Sequence, residues 1–132
     1  MHPLAETLLD EPVIAAVKTD DALTAALASP CSTVFLLAST LLNVGELVRR
    51  IHAAGKLAVV HIDLVDGLSA REVAVNSLIA LCHPDGIIST HPSLIRRARH
   101  QGLLTIQRAF ILDSLSLNLS LIHISEPTRP LY

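Results

Sequence analysis

The chain has 132 residues, 51% of them hydrophobic and 17% charged, with a formal net charge of −2. That length suits one domain with a sizeable core but falls short of the ~200 residues that a closed (β/α)8 barrel usually needs. The near-neutral charge excludes a global electrostatic pull towards nucleic acid or acidic lipid, and Cys31 and Cys82, far apart and outside any CxxC or Cys/His pattern, fit buried thiols rather than a disulfide framework or a zinc site.

The opening stretch MHPLAETLLDEP carries acids where a secretory leader needs a basic region, and no apolar run approaches the ~20 residues of a membrane span, so a cytoplasmic location is expected. A short helical lead-in covers Leu4 to Leu9. Pro12 to Lys18 (PVIAAVK) is the first strand, with Asp20 or Asp21 capping the helix that runs to Ala28, and Pro30 stopping it. Thr33 to Ser39 (TVFLLAS) is a continuous apolar run of buried-strand length. The next helix places Val44, Leu47, Val48 and Ile51 on one face and Glu46, Arg49 and Arg50 on the other, and Gly55 ends it.

Lys56 to Asp63 (KLAVVHID) is the third strand. After a loop containing Gly67, Ser69 stands three residues before Glu72 in capping-box spacing, and Val75, Leu78, Ile79 and Cys82 form the apolar stripe of a third helix, closed by His83 and Pro84. The fourth strand is Gly86 to Thr90, the fourth helix runs from Pro92 to Gly102, the fifth strand is Leu103 to Arg108, and Asp113 opens a further helix. Unbroken alternation of this kind predicts an α/β fold of parallel (β/α) repeats, because parallel neighbours need crossover helices. With Phe35, Phe110 and Tyr132 the only aromatic residues, the core is aliphatic, as in strands buried on both faces.

In parallel α/β proteins ligands bind at the C-terminal ends of the strands, which here carry His61, Asp63, Ser89, Thr90, Gln107 and Arg108. Alternation places Val59, His61 and Asp63 on one face of their strand. Ile87 and Ser89 share a face of theirs, as do Thr105 and Gln107, and in a barrel these are the inward positions, stacked towards the mouth. His61 and Asp63 fit ligand-binding polar residues, buried groups bonding the strand end, or an acid/base pair; a metal would need a third ligand that nothing nearby supplies. Ser89 and Thr90, just before a helix N-terminus, fit an anion-holding hydroxyl pair or a plain cap. Arg108 offers forked donors to a phosphate or carboxylate, or a pair for Asp113. Arg96, Arg97, Arg99 and His100 form a basic run, and Arg49, Arg50, His52 and Lys56 another; each fits RNA phosphates or a solvated helix face, without the aromatic platform of single-strand RNA binders.

The segments VVHIDLVDGLS (Val59 to Ser69) and PDGIISTHPSLIRRARHQGLLTIQRAFILDSLSL (Pro84 to Leu117) resemble the glycerol-3-phosphate responsive antiterminator family, with Thr105 at a position expected to be Ala-like. A weaker match in the right order, PVIAAVKTDDALTAAL and VFLLASTLLNVGELVRRIHAAGK, extends the resemblance over most of the chain up to Leu117. The resemblance implies a TIM-barrel-like regulator, not an enzyme, with no cofactor and no catalytic residue. It would sense glycerol 3-phosphate as its effector and bind the leader mRNA of glycerol-utilisation genes, disfavouring a terminator. Lys18, Asp63, Ser89, Thr90, Gln107 and Arg108 fall at family-like strand ends and, with His61, form the expected ligand set; Arg96, Arg97 and Arg99 are the expected RNA contacts.

The family's later strands carry Gly-Gly and Thr-Ser segments that look like a barrel phosphate grip, and neither follows Leu117. Residues 1–117 therefore read as a truncated antiterminator barrel with about five of eight strands, open at its first and fifth strand and inactive alone. Residues 118–132, with LSLIHISEPTR from Leu119, resemble a translated sequencing adapter and are expected to lack regular structure; the alternative is a natural polar tail in which Pro127 and Pro130 prevent it. The reading from a different class is a phosphosugar-handling TIM-barrel enzyme with His61 and Asp63 as acid and base.

Overall fold

The computed structural model describes residues 14–69, 71–110 and 120–125. The order is β1 (Ile14–Val17), α1 (Asp20–Ala28), β2 (Thr33–Leu36), β3 (Ser39–Thr40), α2 (Val44–Ala53), β4 (Leu57–His61), a 3-10 turn (Ile62–Leu64), β5 (Val65–Asp66), α3 (Glu72–Cys82), β6 (Gly86–Ser89), α4 (Pro92–His100), β7 (Leu104–Phe110) and β8 (Ser120–Ser125). The expected helices at Leu4 to Leu9 and after Asp113 lie outside the described residues.

β1, β2, β4, β6 and β7 form a parallel sheet in that order, and β3 and β5 pair separately as a small parallel ribbon. Each strand of the large sheet lies beside the one that preceded it, with a helix between. The helix-facing core takes Leu23 and Ala26 from α1, Val48 and Ile51 from α2, Val75 and Leu78 from α3, and Leu94 and Ala98 from α4. The second apolar cluster, Val59, Ile88, Leu104 and Ile106 with Phe35, Leu37 and Leu57, contains no helical residue. Helices on one face and a bare apolar layer on the other are the arrangement of a (β/α) barrel wall rather than a doubly wound sheet.

This two-sided burial corrects the predicted face of two strands. Ile87 packs in the helix-facing cluster, whereas Ile88 and Ile106 share the inner layer with Val59. The register His61↔Ile88↔Ile106 puts all three in one row, so Ser89, paired with Gln107, lies on the helix side along with Thr105. In strands apolar on both faces, alternation alone does not say which set points inward.

Local chemistry accounts for the helix ends, with two departures from the sequence reading. Thr19, not Asp20 or Asp21, caps α1: its Oγ1 accepts from Ala22 N at 3.1 Å, leaving both aspartates in the first turn, where the helix dipole favours them. No capping box forms at α3. Its cap position is Arg71, and Ser69 contributes its backbone carbonyl to Arg71 N (2.9 Å), so the hydroxyl stands two residues too early. α3 ends on His83 in the left-handed region (φ 47°), whose N–H reaches Ile79 O at 3.0 Å.

The edges also differ from expectation. β1 is an edge strand, but β7 is covered by β8, which runs antiparallel with Ile106 opposite Ile124 and Arg108 opposite Ile122. Part of the tail predicted to lack regular structure thus forms a strand. SLIHIS has no proline, and the unpaired backbone groups of β7 offer it a ladder.

Candidate ligand site at the strand ends

β4 stops at His61 and the chain tightens into the 3-10 turn, so Asp63 sits on that turn rather than on the strand face expected for it. The turn swings its carboxylate across to the end of β6. Ser89 Oγ donates to Asp63 Oδ1 at 2.7 Å, while Thr90 N and Thr90 Oγ1 donate to Oδ2 at 2.8 and 2.9 Å. Ser89 Oγ in turn accepts from His91 N at 2.9 Å. Burial opposes the charge on Asp63, but the Thr90 N–H, the two hydroxyls and nearby His61 outweigh it and hold the carboxyl below its ordinary range. Asp63, Ser89 and Thr90 therefore form a latch between the β4 and β6 ends. Their hydroxyl donors are engaged with Asp63 rather than pointing at an external anion.

His61 occupies the inner face beside this latch and is only 3% exposed. Among the described residues its Nδ1 has no hydrogen-bond partner. Burial pushes the imidazole below its ordinary value, the Arg108 charge acts in the same direction, and the Asp63 carboxylate opposes both. The balance favours the neutral imidazole over the charged one. Arg108, half-buried, lies two residues beyond Ile106 on β7 and by alternation on the same inner face.

The other predicted ligand residues stand apart. Gln107 is on the opposite face of β7 from Arg108. Lys18 is exposed just past β1, two strands from β4 and so roughly 10 Å away at ordinary strand spacing, beside a small cleft that includes Thr19, Asp20 and Asn43. The structure therefore brings together His61, Asp63, Ser89, Thr90 and Arg108, and leaves Lys18 and Gln107 outside that group.

The two basic runs separate as well. Around α2, Arg49 pairs with Glu46, Arg50 donates to Asp20 Oδ1 (2.6 Å) and Thr24 Oγ1 (3.2 Å), His52 Nε2 lies 2.9 Å from Asp85 Oδ2, and Lys56 Nζ donates to the Ser29 and Cys31 carbonyls. Arg50, His52 and Lys56 thus tie α2 and its C-terminal end to neighbouring segments, whereas Arg49 pairs within its own helix. On α4, Arg97 comes within 4.0 Å of Glu72, while Arg96 and Arg99 face no carboxylate among the described residues.

Two features escaped the sequence reading. Asp85 Oδ2 accepts from Ala58 N at 2.8 Å, tying β4 to the β6 entry; a lone aspartate before a strand gave no sign of it. The ribbon β3/β5 also displays Leu41, Leu42 and Leu64 at its rim, Leu42 being 96% exposed. The sequence reading passed from Ser39 to Val44 without assigning Leu41 and Leu42 a role.

A parallel (β/α) wall with its helices on one face, an apolar layer on the other and a polar latch at its strand ends defines a protein of the TIM-barrel-like class. The sequence profile of the glycerol-3-phosphate responsive antiterminator family matches residues 13–130, and the chain belongs to that family. The match runs past Leu117, where the resemblance in the sequence stops. The chain is 40% identical over 114 residues to the uncharacterized protein YgcP of Escherichia coli (strain K12), covering 86% of this chain and 60% of that protein. Among solved structures it is similar to the glycerol uptake operon antiterminator regulatory protein of Listeria monocytogenes str. 4b F2365, with TM-score 0.75, 31% identity, and 80% of this chain and 58% of that one covered. A glycerol uptake operon antiterminator-related protein of Thermotoga maritima MSB8 aligns with TM-score 0.66 and 31% identity over 77% and 57%. The chain spans about three fifths of the length of these relatives. No helix among the described residues is long and apolar enough to cross a membrane.

Proposed function

We propose that the chain is the larger part of a cytoplasmic transcription antiterminator that binds glycerol 3-phosphate and, in response, the leader mRNA of glycerol-metabolism genes. The family match over residues 13–130 carries this reading. The effector lies on the inner face near His61 and Arg108, with the Asp63 latch fixing the loop beside it. RNA phosphates meet Arg96, Arg97 and Arg99 on α4, on the outer side of the same strands, so effector and RNA act on opposite faces of β6 and β7. No cofactor takes part. The strands that complete the barrel in the longer relatives supply the rest of the effector site, so this chain alone has no measurable affinity for glycerol 3-phosphate and is inactive as a regulator.

Catalysis by His61 and Asp63 is the weaker reading. No hydrogen bond joins them, and three donors keep Asp63 ionised, a poor state for a general acid. Retention of a terminator-containing leader RNA tests the proposal. Replacing Arg96, Arg97 and Arg99 with Ala should weaken retention and reduce the salt dependence by about one unit of slope per lost phosphate contact. Unchanged retention and slope would return those arginines to ordinary solvation.

A further inference from the structure

We propose that the outer face of α3 docks a second copy of this chain, α3 packing antiparallel on its own counterpart about a two-fold axis between Asn76 and Ser77.

The first observation is the composition of that face. α2 and α4 are amphipathic, with Glu46, Arg49 and His52 on the one and Arg96 and His100 on the other turned to solvent. α3 (EVAVNSLIALC) has Glu72 as its sole charged residue, and its exposed positions are Glu72, Val73, Asn76, Ser77, Ala80 and Leu81. Val73 is 59% and Leu81 46% exposed, although the opposite side of the helix already buries Ala74, Val75, Leu78 and Cys82. A helix that is apolar all round is one covered all round. The sheet covers its inner side, and α2 and α4 flank it. Barrel completion does not reach what is left. α3 joins β4 to β6 in the middle of the sheet, so strands added at either edge leave its outer face open.

The second observation is that the face complements itself. At 3.6 residues per turn, Val73 and Ala80 lie on the midline of the exposed arc, with Asn76 to one side and Ser77 to the other. A two-fold axis across the helix between Asn76 and Ser77 sets Val73 of each copy over Ala80 of the other, a branched side chain into the space above a methyl group. It also brings Asn76 opposite Asn76, where each amide can donate and accept, and Ser77 opposite Ser77, small enough for the helices to approach to about 8–10 Å. Such reciprocity is what a two-fold interface requires. The charges agree with it. Antiparallel packing carries the exposed Glu72 of each copy towards the exposed His83 at the end of the other helix, and no like charges meet on the midline. An uncharged face offers nothing to nucleic-acid phosphates. One helix face is smaller than the ~800 Å² a side of a standard interface, so the dimer is weak, with a dissociation constant on the order of tens of micromolar.

Sedimentation velocity of the 132-residue chain, at concentrations from about a tenth of that value to ten times it, should show a monomer giving way to a dimer. Ala80→Arg, at an exposed position and with a good helix former, should weaken the dimer at least about tenfold, and Asn76→Asp, which sets two carboxylates face to face, should do the same without added bulk. Unchanged urea midpoints would show that both variants remain folded. Oxidation with copper phenanthroline should link Ser77→Cys into a covalent dimer but not Ala25→Cys on the exposed side of α1. A monomer at every concentration would overturn the proposal. So would a dimer that neither substitution weakens and that Ser77→Cys does not capture, which would put the contact at another surface such as the β1 edge.

Discussion

Removing the Asp63 carboxylate should cost more than a loop residue usually does. Its two oxygens accept three hydrogen bonds of 2.7, 2.8 and 2.9 Å from Ser89 and Thr90, and its side chain is 12% exposed. Bonds to an ionised acceptor contribute about 1.5–3 kcal/mol each, but the two hydroxyls can rotate to water or to one another once the carboxylate is gone. The Thr90 N–H is fixed by the backbone and cannot. Asp63→Ala should therefore destabilise the chain by about 3 kcal/mol, most of it from that amide and the rest from the hydroxyls. Asp63→Asn keeps one acceptor oxygen but turns an NH2 group towards donors, and should cost about half as much. For a domain of this size 3 kcal/mol corresponds to a fall in Tm of about 10 °C. Urea unfolding followed by circular dichroism measures both variants, and a cycle with Ser89→Ala should return a coupling of about 1–2 kcal/mol. A loss below about 0.5 kcal/mol for Asp63→Ala, the range of an ordinary surface substitution, would refute the latch.

Three further outcomes follow from the packing and ionisation. Leu78→Ala in α3 empties a fully buried position of the helix-facing core and should cost about 3 kcal/mol in the same unfolding assay. At Gly67 the backbone has φ 94° and an added Cβ would stand 3.2 Å from Leu41 Cβ, so Gly67→Val should lose about 1–3 kcal/mol, and hydrogen exchange at Leu41 N, which donates to Asp66 O, should quicken. The lowered His61 value means that the unfolded chain binds more protons there than the folded one. Its contribution to stability is complete above the unfolded value of about 6.5 and is lost as pH falls from there towards the folded value. Urea midpoints should drop between pH 7 and the acid side of that window, and His61→Asn should flatten that part of the profile.

The alternation of strands and helices was legible because the two periodicities are distinct here. Val44, Val48 and Ile51 repeat at helical spacing, and the run at Thr33–Leu36 is strand-length and apolar throughout. Which face of a strand looks inward was not legible at β6, where Ile87 and Ile88 are both buried and only the register with His61 distinguishes them. The positional rule named residues that the structure brings together at the ends of β4, β6 and β7, but not that Asp63 would leave the strand and take up both hydroxyls beside β6. That depends on a contact across 26 and 27 positions, and no local pattern encodes it. The two basic runs looked alike in sequence; what separates them is the set of partners that Asp20, Glu46 and Asp85 provide around α2.

The strand order, in which each parallel strand joins the one before it through a single helix, bears on how the chain comes together. Every parallel pairing in the large sheet closes over one crossover, so no strand waits for a distant partner and the entropy of loop closure is met in small steps. A chain emerging from the ribosome can lay down β1, α1 and β2, then add one helix and one strand at a time, each unit burying its leucines against a surface already formed. Such growth has no privileged stopping point. A stretch three fifths the length of its relatives can thus have a finished layer between helices and sheet, while the inner layer continues to gain walls with each strand added.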